Sequence, residues 1–156
     1  MQVPEGRQVF RDMSVRENLD LGAYLRRDRA GIRNDLEAVY AMFPRLKERR
    51  NTKAGSMSGG EQQMLTMCRS LLGNPLLMLI DEPTEGLAPK IVAQVGECIV
   101  DMHRKGLSVV LVEQKLAIAL KVSTRVCVMG HGRIVFEGTP QALKADQQLV
   151  SEWLAV

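Results

Sequence analysis

The sequence predicts an α/β fold: a mostly parallel sheet flanked by helices, with a small helical subdomain ahead of it. Three observations carry this expectation. From Ser58 onward, segments with helical periodicity alternate with short apolar runs, as in proteins built on parallel sheets. Two of those runs, residues 76–80 and 107–112, read as strands buried on both faces. Residues 14–50 carry helix signals alone. With 156 residues, 46% apolar and 25% charged, the chain can build a core, which excludes a disordered tail, a disulfide mini-protein and collagen-like material. Folding at this length removes about 68–70% of the unfolded surface from water.

The elements follow in order. Ser14-Val15-Arg16-Glu17 is a capping box, in which serine and glutamate satisfy each other's backbone N–H groups, and it opens a helix running toward Arg26. A second helix is expected over residues 33–42, stopping before Pro44, which disfavours helical geometry at the residue ahead of it. The expected organisation is a leading segment 1–13, a helical subdomain 14–55 and an α/β part 56–156. Apolar residues at 64, 65, 68, 71 and 72 form one helical stripe, which Gly73-Asn74-Pro75 terminates. Pro89 suits a first helical position; Ile91, Val92, Val95, Ile99 and Met102 mark that helix's buried face, and Arg104-Lys105-Gly106 closes it. A helix near 114–121 leads to strands near 125–129 and 133–137, turned by Gly130-His131-Gly132, and two short helices finish the chain.

Unbroken apolar runs such as 76–80 and 116–120 are five residues long, against about 20 for a membrane span, and the N-terminus has no secretory pattern. Cys68, Cys98 and Cys127 are widely spaced without a Cys-x-x-Cys pair and read as reduced, buried thiols. The net charge of +3 is uneven: residues 1–55 hold 12 Lys/Arg against 8 Asp/Glu, and residues 56–156 hold 9 against 10. The basic stretches are broken by acids and poor in aromatics, which suits a solvated helix face better than a nucleic-acid surface. His103 and His131 fall at a helix end and in a turn, where surface roles are expected.

The chemistry concentrates in Met57-Ser58-Gly59-Gly60-Glu61-Gln62-Gln63 and in Met78-Leu79-Ile80-Asp81-Glu82-Pro83. Ser58 with Glu61 is a second capping box; the same geometry leaves a serine hydroxyl and backbone N–H groups at a helix N-terminus, which is what binding a polyphosphate requires. Both readings hold together. Adjacent carboxylates at the end of a buried strand are costly unless they face solvent or a ligand, and strand ends are where α/β sheets place ligands. An exposed pair at the sheet rim remains open. The other reading gives Asp81 to Mg²⁺ and Glu82 to a water attacking a γ-phosphate.

Taken together, these two motifs and their order resemble the ATP-binding subunits of ABC transporters, from about Val3 to Gly138. The resemblance implies the C-terminal part of a P-loop NTPase fold, with Ser58-Gly59-Gly60 as the signature and the run ending in Asp81-Glu82 as the Walker B strand. Residues 83–89 stand at the D-loop, and residues 14–50 at the subdomain that faces the membrane partner. Val3-Pro4-Glu5-Gly6-Arg7, Phe43-Pro44-Arg45-Leu46 and Val112-Glu113-Gln114 are similar to the second ATPase of branched-chain amino acid importers, whose relatives serve urea and short amides. The cofactors implied are ATP and Mg²⁺. Ser58, Gly59, Gly60 and Glu61 would bind ATP, Asp81 and Glu5 the metal, with Glu82 as catalytic base and Gln114 as γ-phosphate sensor. A second ATPase subunit and membrane permeases are the implied partners, with no nucleic acid, placing the chain peripherally on the cytoplasmic face of the membrane.

The sequence departs from the family pattern. Glu5 stands for the Q-loop glutamine, Gln114 for the switch histidine, Glu61 for the signature glutamine and Ala88 for the D-loop aspartate. Gln114 can hydrogen-bond a phosphate but cannot exchange a proton near neutral pH. No Gly-x-x-x-x-Gly-Lys-Ser/Thr phosphate loop occurs in the 156 residues. The expectation is therefore a fragment beginning at the Q-loop, inactive alone and prone to aggregate through exposed apolar flanks. The competing reading is a non-catalytic module lending its signature face to a complete ATPase. A nucleic-acid ATPase is disfavoured because long coiled-coil heptads are absent.

Overall fold

The computed structural model describes residues 1–154, which fall into two compact units, one of Met1–Val112 and one that starts at Glu113. In the first, β1 (Gln2–Val3), β2 (Leu77–Asp81) and β3 (Ser108–Val112) form a parallel sheet in that order. The register sets Val3 beside Ile80 and Asp81 beside Val112, so the strands finish at one end of the sheet. The N-terminal amine donates to the Leu77 carbonyl at 2.9 Å, which extends the pairing of β1.

Four helices complete the first unit's helical part: α1 (Val15–Gly22), α2 (Arg29–Met42), α3 (Pro44–Glu48) and α4 (Gly59–Leu71), and α5 (Pro89–Arg104) follows β2. The first helix is shorter than its sequence suggests. It ends at Gly22, a glycine that lies close against α4: a Cβ there would stand 1.9 Å from the Arg69 carbonyl oxygen. The second helix begins earlier than expected, at Arg29, and ends at Met42 ahead of Pro44 as expected; Pro44 then opens α3, with non-helical Phe43 as the joint. Asn18 is fully buried and staples the preceding loop to α1. Its side-chain oxygen accepts from the Phe10 N–H at 2.9 Å, and its amide donates to the carbonyls of Phe10 and Ser14 at 3.0 Å each.

The core lies between α4, α5 and the sheet. Val3, Leu65, Met67, Cys68, Met78, Ile80, Val95 and Met102 are all essentially inaccessible, and each large apolar side chain so buried contributes about 1.5–3 kcal/mol. The strands are not covered on both faces as the sequence suggests. Met78 and Ile80 point into the core, while Leu77, Leu79, Val110 and Val112 remain 43–54% exposed on the other side. An uninterrupted apolar run hides the period-2 alternation that would have revealed one-sided packing. Cys68 and Cys98 are buried as expected, but Cys127 is exposed.

In the second unit, α6 (Leu116–Val122) precedes an antiparallel hairpin of β4 (Val126–Gly130) and β5 (Arg133–Gly138), then α7 (Pro140–Ala145) and α8 (Gln147–Trp153). His131 and Gly132 both have positive φ, +49° and +74°, giving the two-residue turn whose twist matches a hairpin. Thr139 and Asp146 cap α7 and α8 by accepting from Ala142 and Leu149 N–H groups. Among the described residues no helix is long and apolar enough to cross a membrane.

Gly22→Ala forces α1 and α4 apart, since the clash is with backbone. The expected loss is about 1–3 kcal/mol in urea unfolding; a variant within about 0.5 kcal/mol of the parent would show that the helices tolerate separation there.

Candidate functional site

Two features of the first unit bring the sequence-predicted residues together. The first is the start of α4. Ser58 has extended backbone and its hydroxyl accepts from the Glu61 N–H, while the Glu61 carboxylate accepts from the Ser58 N–H at 2.8 Å and from the Ser58 hydroxyl at 2.9 Å. That carboxylate also receives Arg49 at 3.0 Å and Arg45 at 3.2 Å. Burial alone would raise the Glu61 pKa, but the Ser58 hydrogen bonds and the two arginines outweigh it and hold the group below its usual range. Its contribution to stability is present above the unfolded-state pKa and is lost as pH falls through the folded one. Glu61 is thus engaged in building the helix start. Gly59 and Gly60 form its first turn, where backbone N–H groups lack acceptors inside the helix.

The second feature is the turn after β2. Glu82 donates its N–H to the Val112 carbonyl at 2.9 Å and then takes a left-handed backbone, φ +43°, uncommon for a residue with a side chain. The turn is closed by Glu85 N–H to Glu82 carbonyl (3.2 Å) and Leu87 N–H to Thr84 carbonyl (3.3 Å), over the fully buried Thr84. Its effect is to turn two carboxylates toward the loop that follows β1. Carboxylate oxygens of Glu5, Glu82 and Glu85 all lie within 4.8 Å of one another. Asp81 closes β2 outside that trio, near enough for its charge to act on Glu5.

A hydrogen bond to Glu85 holds the Glu5 carboxyl above its ordinary pKa; the charges of Glu85 and Glu82 add to this, with partial desolvation and Asp81 behind them. Three oxygen donors crowded by like charge suit a hard divalent cation, which would relieve the repulsion. Beside them opens a cavity of about 430 Å³, lined by Arg7, Arg11, Gln62, Gln63, Glu82 and Glu85 among others. Glu85 escaped the sequence reading. The signal was there in the spacing Glu82-x-x-Glu85-Gly86, which returns two carboxylates to one side of a tight turn. Gln114 belongs to the second unit, exposed in the bend that leads into α6.

The ABC transporter family model matches residues 2–85, which include both features. The chain belongs to the ABC transporter family. It is 45% identical over 152 residues to the high-affinity branched-chain amino acid transport ATP-binding protein BraG of Pseudomonas aeruginosa, covering 97% of this chain and 65% of that protein. It is 34% identical to a probable branched-chain amino acid transport ATP-binding protein, LivF, of Archaeoglobus fulgidus, covering 90% of this chain and 60% of that one. The chain thus spans somewhat less than two thirds of these curated relatives. Among solved structures, CbiO1 of Clostridium perfringens, part of an ABC transporter complex, superimposes with a TM-score of 0.81 at 21% identity, over 97% of this chain and 61% of that one. The fold is therefore that of ABC ATPase domains, an α/β P-loop NTPase architecture with parallel strands and flanking helices.

Because the raised Glu5 pKa comes first from Glu85, Glu85→Gln is expected to bring Glu5 down toward the ordinary carboxylate range. Millimolar Mg²⁺ should lower it in the parent. In the parent, a raised folded-state pKa favours the fold below the unfolded-state pKa and loses that benefit as pH rises through the folded value. Carbon-13 NMR titration of the Glu5 carboxyl reads this directly, and an unchanged Glu5 titration in Glu85→Gln would refute the coupling.

Proposed function

We propose that this chain is part of the ATP-binding and hydrolysing subunit of an ABC importer for branched-chain amino acids. The observation that carries this is the convergence of Glu82 with Glu5 and Glu85 at the end of β2, in a chain 45% identical to a branched-chain amino acid transport ATPase. Glu82 acts as the base that orients and deprotonates the water attacking the γ-phosphate; its strained backbone fixes the carboxylate at the strand end. Glu5 and Glu85, with Asp81 behind them, hold Mg²⁺, whose chemistry is to offset phosphate charge.

Ser58, through its hydroxyl, and Gly59 and Gly60, through backbone N–H groups, donate to the phosphates of a nucleotide held by a second ATPase subunit. Glu61 acts in nucleotide binding indirectly, by fixing Ser58. Gln114 donates its amide to the γ-phosphate. Residues 14–50 and the loop around Glu5 meet the membrane permease, so the subunit works on the cytoplasmic face of the membrane. No Gly-x-x-x-x-Gly-Lys-Ser/Thr phosphate loop occurs among these 156 residues.

The test is Glu82→Gln in a protein that supplies a relative's phosphate-loop segment ahead of Met1. ATP binding is expected to persist while turnover falls about 10²–10⁴-fold. Hydrolysis near the parent rate would remove Glu82 from the role of base.

A further inference from the structure

Arg7 sits where three segments distant in sequence come together. Its backbone is left-handed, φ +54°, and its Nη2 donates to the Glu85 carbonyl at 3.3 Å. The same guanidinium occupies the space above two glycines. A Cβ on Gly59 would stand 2.4 Å from Nη1, and one on Gly86, itself at φ +60°, would stand 2.9 Å from Nη2. One planar cation therefore spans the first residue of α4 and the turn that carries Glu82 and Glu85, while its own loop carries Glu5. Stability alone explains this placement poorly. A cation beside a helix N-terminus opposes the helix dipole, and a single 3.3 Å hydrogen bond is a weak tie.

We propose that Arg7 is a positioning residue that locks the turn bearing Glu82 and Glu85 against the first turn of α4, fixing the carboxylates relative to the Gly59 and Gly60 amides. The inference rests on the ATPase reading above for its catalytic consequence, but its geometric content stands apart. A Cβ at Gly59 or Gly86 would move the guanidinium from this position. Lysine cannot substitute fully: it keeps the charge yet lacks the flat fork that reaches both glycines at once.

The experiment has two arms. In this chain, Arg7→Ala is expected to accelerate amide hydrogen exchange at Glu85 and Leu87 by about 10-fold or more, with exchange in α2 and the melting temperature unchanged. Faster exchange throughout, or none at the turn, would overturn the lock. In the protein supplied with a phosphate loop, Arg7→Ala should lower kcat about 10–100-fold with KM for ATP within about 3-fold, and Arg7→Lys should recover only part of kcat. Parent-like kcat in Arg7→Ala, full recovery in Arg7→Lys or a loss confined to KM would refute the inference. A parent protein that fails to hydrolyse ATP would instead sink the ATPase reading, leaving the exchange arm to judge the lock.

Discussion

The parallel register of the three-stranded sheet is the constraint on which the site depends. With Val3 beside Ile80, the residues two steps further along each strand, Glu5 and Glu82, leave the same end of the sheet side by side. The strand ends that bear them are carried together by backbone hydrogen bonds and by burial of Val3, Met78 and Ile80. The raised pKa of Glu5 comes first from its hydrogen bond with Glu85 and then from the like charges of Glu85 and Glu82. A divalent cation among them would offset the like charge.

Helix α4 is the second organising element. Its buried residues, Met64, Leu65, Met67 and Cys68, anchor it in the core, while its N-terminus is tied to α3 and the residue after it by Arg45 and Arg49 on Glu61. Gln62 strengthens this end by donating to the carbonyls of Ala54 and Met57, both at 3.1 Å. At the other end Arg69 donates to the Gln8 carbonyl at 2.6 Å and stacks over Phe10. The loop after β1 is thereby tied to the helix whose first turn carries Gly59 and Gly60.

The apolar face of the sheet bearing Leu77, Leu79, Val110 and Val112 has a plain physical consequence. These side chains form a strip that water must solvate, beside the β3 edge with its unpaired backbone groups.

The sequence by itself determined the local grammar: both capping boxes, Pro89 at the start of α5, Gly106 at its end, the hairpin turn at His131-Gly132, and the order of motifs that identifies the family. Each depends on residues a few positions apart, so the chain carries the information in short words. Tertiary structure alone decided which strand faces were covered, since five consecutive apolar residues carry no alternation to read. It also decided that Gly22 would pack against Arg69, that Glu5 would meet Glu82 and Glu85, and that Arg7 would lie over Gly59 and Gly86. Those pairings join residues 47 to 80 positions apart in sequence. They follow from strand register and helix packing, which no local pattern encodes.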